Sequence, residues 1–226
     1  MTALVLLPGM DGTGDLFADF VHAVRAKAHV VRYPVSRPLT YAELESLVVS
    51  ELPVGEPYVL LGESFSGPIA LSIAARQPPL LRGVVLCCSF ATNPRPGLGA
   101  FPGLVNLLPG RPPLRALEWL LAGRFATPQL RQGLSTALAQ VSVAVLRGRM
   151  AAVIDVDVVP VLPSVTVPVL YLRAAEDRLV PASASQLIVR NVPHARVVDV
   201  VAPHFLLQTA TQEAARLVDD FLLEVA

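Results

Sequence analysis

Short runs of mostly apolar residues recur along the chain, and segments with apolar residues at helical spacing lie between them. The apolar runs occupy residues 3–7, 29–33, 58–61, 83–88, 167–173 and 195–200. Runs of this kind, apolar on both sides, are typical of strands that are buried on both faces of a sheet. The alternation predicts right-handed βαβ units, and therefore an α/β fold with a mainly parallel sheet of about six strands.

The alternation is interrupted between the fourth and fifth predicted strands. Residues 91–165 are rich in Pro, Gly, Leu and Ala, with helical patterns at residues 114–122, 127–147 and 149–156. Because this stretch is short and lies inside the alternation, we interpret it as a helical cap inserted into one core of residues 1–90 and 166–226. Four apolar residues of the insertion are candidates for lining a substrate pocket, although packing of the cap on the core would explain each of them: Phe101, Leu104, Leu108 and Trp119.

Length, composition and charge limit the kinds of protein that this chain can be. With 226 residues, 53% hydrophobic and 16% charged, the chain suits one domain with a sizeable core and a modest insertion. Its formal net charge is zero and its basic residues form no block, which argues against a nucleic-acid partner. No charge-free apolar run reaches the roughly 18–20 residues of a membrane-spanning helix. We therefore expect no membrane span.

The N-terminus and the cysteines bear on the compartment. The first residues lead directly into a predicted strand and show no signal-peptide pattern. Cys87 and Cys88 are adjacent in a predicted strand, where neighbouring side chains point to opposite faces, so free buried thiols are favoured over a strained disulfide. A cytoplasmic location is the resulting expectation.

A serine lies at a predicted junction of strand and helix. Residues 62–67 read GESFSG, after the apolar run at residues 58–61 and before a helical pattern at residues 68–76. A serine between small residues at such a turn is typical of a nucleophile elbow, and the positive end of the following helix favours a developing anion. The alternative is a Gly/Ser-rich turn without chemistry. We predict that Ser64 is a nucleophile.

A serine nucleophile needs a base and an acid that orients the base. Of the four histidines, His204 follows the last predicted strand, at the sheet edge where catalytic groups collect in parallel α/β proteins. Asp177 follows the fifth strand at a turn into a helix, and we prefer it to the adjacent Glu176. The order Ser64, Asp177, His204 is that of α/β-hydrolase triads.

A glycine-rich turn follows the first predicted strand. Residues 8–14 read PGMDGTG, which lacks the Lys-Ser/Thr of a phosphate-binding loop and the spacing of a dinucleotide-binding motif. It indicates instead a turn whose N–H groups stabilise an anion. No cluster of residues has the spacing of a metal site, so we expect neither metal nor cofactor.

The chain resembles the α/β-hydrolase superfamily over nearly its whole length. Four features carry the resemblance: the GESFSG turn, the PGMDGTG turn, the turn at Asp177 and the Pro203–His204 pair. The resemblance implies an α/β-hydrolase fold and an oxyanion hole formed by the backbone N–H groups of Met10 and Phe65. Two features depart from the family. Ser66 occupies a position where the family usually has Gly, and the usual first two strands have no counterpart. The smaller sheet would leave an exposed edge, which suggests a possible homodimer.

The expected activity is hydrolysis of carboxylic esters with a short to medium acyl group, through an acyl-enzyme on Ser64. A small-molecule ester is the expected substrate. The same three side chains would also serve a thioesterase or an acyltransferase. A ligand-binding protein of this fold without turnover is the alternative from another class.

Overall fold

The computed structural model describes residues 2–99 and 113–226. Its six strands are β1 Ala3–Leu7, β2 Ala28–Val30, β3 Tyr58–Glu63, β4 Leu81–Cys87, β5 Val169–Ala174 and β6 Ala195–Val200. They form one sheet in the order β2-β1-β3-β4-β5-β6, and every neighbouring pair is parallel. The predicted α/β fold with a parallel sheet of about six strands is confirmed.

Ten α-helices occur in the part of the chain that the structure describes. They are α1 Ala18–Ala23, α2 Tyr41–Ser50, α3 Gly67–Ala75, α4 Pro96–Gly99, α5 Leu114–Leu121, α6 Pro128–Gln140, α7 Val143–Asp155, α8 Ala182–Asn191, α9 Leu206–Thr209 and α10 Thr211–Glu224. Helices α4 to α7 lie between β4 and β5, where the sequence predicts an inserted cap. The division into a core and a cap stays a prediction.

The strands carry apolar side chains on both faces of the sheet. In β1, Val5 and Leu7 pack into one buried cluster with residues of α2, α3 and α8. Leu4 and Leu6 point the opposite way, into a second cluster with residues of α1, α9 and α10. Because side chains alternate across a strand, burial on both faces requires an apolar residue at nearly every position. This explains why the strands read as unbroken apolar runs.

The predicted helix over residues 127–147 is wrong as a single element. The structure has two helices there, α6 and α7, which meet at an angle of 100°. Val141 has an extended backbone, and the Ser142 side chain accepts a hydrogen bond from the N–H of Val145 at 3.2 Å. A serine that caps a new helix in this way ends the preceding one, and periodicity alone does not reveal it.

A capping box lies at the start of α2. The Thr40 side chain accepts from the N–H of Glu43 at 3.2 Å, and the Glu43 carboxylate accepts from the N–H of Thr40 at 2.8 Å. Strand β2 is shorter than the sequence predicts. Beyond Val30 the chain turns toward the glycine-rich loop, where the N–H of Tyr33 donates to Gly12 O at 2.8 Å.

Two sequence predictions concern surfaces of the fold. Within residues 2–99 and 113–226, no single helix has the length and apolar character needed to cross a membrane. The bent pair α6 and α7 meets those criteria only when both helices are taken together. Strands β2 and β6 are the two ends of the sheet. A homodimer through such an edge stays a prediction.

Two helical glycines provide a test of packing around α3. A Cβ on Gly67 would lie 2.7 Å from the Cβ of Ser89, whereas a Cβ on Gly133 in α6 would meet only a Leu16 methyl group at 3.6 Å. We expect Gly67→Ala to lower the free energy of unfolding by about 1–3 kcal/mol through overpacking. Gly133→Ala should raise it by up to about 1 kcal/mol through helix propensity. Urea unfolding of the two variants measures both changes, and a gain in stability for Gly67→Ala would contradict this packing.

Candidate active site

Ser64 occupies a tight turn between β3 and α3. Its φ is 48°, in the left-handed region that side chains disfavour. A Cβ on Gly62 would lie 2.9 Å from Ser66 O, and a Cβ on Gly67 would collide with Ser89. The two glycines therefore allow strand and helix to approach closely, and the turn presents the Ser64 side chain at the carboxyl edge of the sheet.

Side chains from other elements hold the carbonyl groups of this turn. The Ser89 hydroxyl donates to Ser64 O at 2.6 Å, and Ser89 is itself held through its own carbonyl, which accepts from Tyr171 at 2.5 Å. The Tyr41 hydroxyl donates to Phe65 O at 3.0 Å, and the two rings stack with centroids 4.8 Å apart. These contacts fix a backbone conformation that would otherwise be unfavourable.

Ser64, His204 and Asp177 form one chain of hydrogen bonds. His204 Nε2 lies 2.9 Å from Ser64 Oγ, and His204 Nδ1 lies 2.9 Å from Asp177 Oδ2. The His204 and Asp177 side chains are each 4% exposed. The other Asp177 oxygen accepts from the N–H groups of Leu179 and Val180 at 2.8 and 2.9 Å. With Nδ1–H donating to the carboxylate, Nε2 is free to accept the Ser64 proton.

Other acidic residues that could have oriented a catalytic histidine have partners other than His204. Glu176, the alternative to Asp177, forms an ion pair with Arg124 at 2.6 Å. Asp199 pairs with Arg173 at 2.5 Å. Asp157 accepts from the backbone N–H two residues later, at 2.9 Å. None of these contacts involves His204, and the role of Asp177 as the acid stays a prediction.

The remaining histidines also lie elsewhere. His22 contacts a carbonyl of its own helix at 2.7 Å, and His194 contacts a carbonyl before β5 at 2.8 Å. His29 lies 3.5 Å from Glu51. None of these contacts involves Ser64, and His204 is the histidine that the fold brings to Ser64.

The glycine-rich loop after β1 approaches the same site. The N–H of Gly12 donates to Gly9 O at 3.0 Å, which closes a turn with Met10 at its second position. The N–H groups of the two central residues of such a turn have no partner within it. Phe65 lies in the first helical turn after Ser64, where backbone N–H groups likewise lack intrahelical acceptors. These two N–H groups are the predicted oxyanion donors, and that role stays a prediction.

Ser66 connects this loop to the turn that holds Ser64. Its hydroxyl donates to Pro8 O and accepts from the Tyr33 hydroxyl, with a Tyr33–Ser66 oxygen separation of 2.7 Å. Ser66 is fully buried. The sequence predicts only that a serine is small enough for this position, whereas the structure gives its hydroxyl two partners.

A sequence model described as the alpha/beta hydrolase family matches residues 4–218. The chain belongs to the alpha/beta hydrolase family. Known structures with the same fold include a lipase-esterase related protein from Clostridium acetobutylicum (16% identity, 97% of this chain and 94% of that chain, TM-score 0.83). An esterase from Exiguobacterium antarcticum is also similar, with 15% identity, coverage of 98% of this chain and 91% of that chain, and a TM-score of 0.82. An enol-lactonase from Burkholderia xenovorans has 19% identity, the same two coverages of 98% and 91%, and a TM-score of 0.76. No curated protein sequence matches the chain.

This alpha/beta hydrolase also has a buried carboxyl group directly before Ser64. Glu63 is 5% exposed and accepts from Gln208 Nε2 at 2.9 Å. Burial raises the pKa of Glu63 to about 7. The Gln208 hydrogen bond opposes that rise in pKa, the negative charge of nearby Asp11 adds to it, and His204 and the N–H of Gly9 oppose it more weakly. The nucleophile-elbow pattern leaves the residue at this position open, so no sequence signal marks it.

Of the four predicted substrate-lining residues, Trp119 is the one within the described part of the chain. Phe101, Leu104 and Leu108 lie outside the described residues. Trp119 in α5 is 63% exposed, and the Arg178 guanidinium lies 4.4 Å from the centroid of its ring. Trp119 is therefore a surface residue with a cation–π partner. Contact of these four residues with a substrate stays a prediction.

The two adjacent cysteines are buried free thiols, as the sequence predicts. Their sulfur atoms are 3.9 Å apart. The Cys88 sulfur and ligand atoms of Asp177 and His204 lie within 4.8 Å of one another. Because the His204 and Asp177 atoms already share a hydrogen bond, we interpret this group as the acid–base pair with a neighbouring thiol.

Sequence reasoning missed the side chains that support the site. Ser89 directly follows β4, and its place beside Ser64 follows from the pairing of β3 with β4. Its position at the end of a predicted strand is the sequence feature that could have indicated a place beside Ser64. Tyr33, Tyr41 and Arg149 reach the site from a loop and from helices α2 and α7, and no local motif marks them.

The buried Glu63 predicts a specific dependence of stability on pH. Below about pH 4.5 the carboxyl group is protonated in both the folded and unfolded states, and above about pH 7 folding carries the full cost of burying its charge. The raised pKa of Glu63 therefore lowers the free energy of unfolding as pH rises through this window. We expect Glu63→Gln to gain stability over the parent by roughly 3 kcal/mol between about pH 4.5 and pH 7.5.

Urea unfolding at a series of pH values measures this difference. Glu213→Gln, at an exposed carboxylate in α10, is the matched control for loss of one negative charge. The same pH dependence in the parent, Glu63→Gln and Glu213→Gln would contradict a raised pKa at Glu63.

Proposed function

We propose that this chain is a serine hydrolase that cleaves carboxylic esters through an acyl-enzyme on Ser64. The observation that carries the proposal is the hydrogen-bonded chain from Ser64 through His204 to the buried Asp177. A serine hydroxyl is a weak nucleophile at neutral pH, and this arrangement supplies the base and the group that orients it. The similar structures include an esterase and an enol-lactonase, which supports ester chemistry as the first reaction to test.

The first half of the reaction would form the acyl-enzyme. Ser64 Oγ attacks the ester carbonyl carbon while its proton passes to His204 Nε2, and Asp177 stabilises the resulting imidazolium. The carbonyl oxygen becomes a tetrahedral oxyanion, for which the N–H groups of Met10 and Phe65 are the proposed donors. When the intermediate collapses, the C–O bond to the alcohol breaks and His204 returns the proton to the leaving alkoxide.

The second half would release the acid. A water molecule attacks the acyl carbon and gives a proton to His204 Nε2, which forms a second tetrahedral oxyanion in the same place. Collapse of that intermediate breaks the bond to Ser64 Oγ, which takes the proton back from His204. The products are the carboxylic acid and the original serine, so the cycle balances without a cofactor.

The proposed substrate is a neutral small-molecule ester with a short to medium acyl group. The apolar and uncharged character of residues 98–109 in the insertion supports this choice. A thioester substrate, or an alcohol in place of water as acyl acceptor, would use the same three side chains. The cytoplasmic location inferred from the sequence remains part of this proposal.

Hydrolysis of p-nitrophenyl esters from acetate to laurate tests the proposal. We expect Ser64→Ala and His204→Ala each to lower kcat by on the order of 10⁴-fold or more, since each removes a group that the chemical step requires. Asp177→Ala should lower kcat by about 10³–10⁴-fold through loss of the oriented base. The profile of kcat/KM against chain length measures the size of the acyl site.

Glu176→Ala is the matched control for Asp177→Ala, because the two residues are adjacent and Glu176 pairs with Arg124. We expect it to retain kcat within about tenfold of the parent, as a change at a surface ion pair should. An equal loss in both variants, or full activity of Ser64→Ala, would contradict the assigned roles.

Reaction with a fluorophosphonate separates the enzyme from a ligand-binding protein of the same fold. An activated Ser64 should displace fluoride and become phosphonylated, whereas His204→Ala should react far more slowly because the base is missing. If the parent neither reacts with the probe nor hydrolyses any ester or thioester, the binding-protein alternative is favoured.

A further inference from the structure

Arg149 is a buried arginine that reaches the glycine-rich loop from the inserted helix α7. It is 2% exposed. Its Nη1 donates to Met10 O at 2.8 Å and to Asp11 O at 2.7 Å, and its Nη2 donates to Pro34 O at 3.0 Å. Arg149 and Met10 are 139 positions apart in sequence. One guanidinium thus holds two consecutive carbonyl groups of the loop and one on the segment beside it.

The loop is shaped to admit this guanidinium. Gly12 has φ 70°, and a Cβ there would lie 2.7 Å from the Arg149 Cζ. Any residue with a side chain at this position would be strained in its backbone and would collide with the guanidinium. Gly12 therefore allows the turn and also lets Arg149 approach the backbone.

The hydrogen bonds that the structure gives Arg149 are all to backbone carbonyls. The negative charge of nearby Asp11 attracts the guanidinium without a direct ion pair among residues 2–99 and 113–226. Burying a charged group is costly unless its hydrogen bonds are satisfied, and the backbone carbonyls of an ordered loop satisfy them. If the loop moved, the guanidinium would lose those partners while still buried. The arrangement therefore favours one loop conformation over others.

The two loop carbonyls that Arg149 holds directly follow the predicted oxyanion donor in the chain. The hydrogen bond to Met10 O fixes the peptide that follows Met10, and the bond from Gly12 N to Gly9 O fixes the start of the turn. The Met10 N–H belongs to the same planar peptide as Gly9 O, so the bond from Gly12 N restrains it directly. Arg149 fixes the next peptide along the chain, which limits rotation about the Met10 Cα and so the direction in which this N–H points.

Arg149 also contacts the network that holds the nucleophile turn. Its guanidinium lies 5.6 Å from the centroid of the Tyr33 ring, and the Tyr33 hydroxyl donates to Ser66, which donates to Pro8 O. The loop is thus restrained from the nucleophile turn at Pro8 and from α7 at Met10 and Asp11.

We propose that Arg149 is a positioning residue for the oxyanion hole, and that the inserted helix α7 is therefore a working part of the active site. The proposal rests on the proposed function, because an oxyanion hole has meaning only for an acyl-transfer reaction. It assigns Arg149 no contact with the substrate. Its effect is on the direction of the Met10 N–H and so on the tetrahedral intermediate.

The test compares Arg149→Met with Arg149→Lys on p-nitrophenyl esters and on the matching thionoesters, in which sulfur replaces the carbonyl oxygen. The loss of a well-placed oxyanion donor lowers kcat by about 10²–10³-fold. We expect a decrease of that order in Arg149→Met with a nearly unchanged KM, and a smaller decrease in Arg149→Lys. The ratio of ester to thionoester kcat should also fall by at least about tenfold, because a loosened site no longer favours oxygen over the larger sulfur.

Arg147→Met is the matched control, since Arg147 is an exposed arginine on the same helix. It should retain both kcat and the ester-to-thionoester ratio. A cooperative unfolding transition in each variant establishes that the comparison is made on folded protein. Equal loss of ester and thionoester hydrolysis in Arg149→Met, or a rise in KM alone, would overturn the proposal.

Amide hydrogen exchange gives a readout that does not depend on turnover. We expect the Gly12 and Thr13 amides, which are bonded to Gly9 O and to Asp11, to exchange faster in folded Arg149→Met than in Arg147→Met. Unchanged protection would overturn the role of Arg149 in holding the loop. Absence of all activity in the parent would instead contradict the proposed function, so the two failures are distinguishable.

Discussion

The left-handed backbone of Ser64 is the constraint on which the rest of the site depends. A side-chain-bearing residue in this region carries a cost of roughly 1–3 kcal/mol and persists only where its surroundings determine it. Here β3 and α3 approach so closely that Gly62 is required, and α3 approaches Ser89 so closely that Gly67 is required. Ser89 in turn holds the Ser64 carbonyl. The sheet therefore supplies the rigidity, and the turn uses it to present one hydroxyl group at the edge where the other loops converge.

Three loops converge at that hydroxyl group, and hydrogen bonds restrain each of them. The Asp177 carboxylate is held by two backbone N–H groups of its own turn. His204 is held between Asp177 and Ser64. The glycine-rich loop is held by Ser66 on one side and Arg149 on the other. Because the distances in the chain of hydrogen bonds are near 2.9 Å, small movements of any loop would interrupt proton transfer.

The sequence was sufficient for the order of elements and for the side chains that end strands. Ser64, Asp177 and His204 each follow a strand, and parallel strands bring their carboxyl ends to one edge, so their convergence could be predicted. The contacts that hold these loops in place could not be predicted from the sequence. Arg149 reaches Met10 through a long side chain from a helix whose start was itself misplaced, because Ser142 ends one helix and caps the next. Such contacts depend on three-dimensional approach, which local pattern does not encode.

Mass spectrometry of the acid-quenched reaction tests the central claim most directly. During hydrolysis of a p-nitrophenyl ester, the account predicts a mass increase equal to the acyl group less the hydrogen that it replaces, located on the peptide that contains Ser64. The increase should be absent from Ser64→Ala. Release of p-nitrophenol by the parent at a rate that Ser64→Ala retains, with no acyl group on the Ser64 peptide, would contradict an acyl-enzyme at this residue.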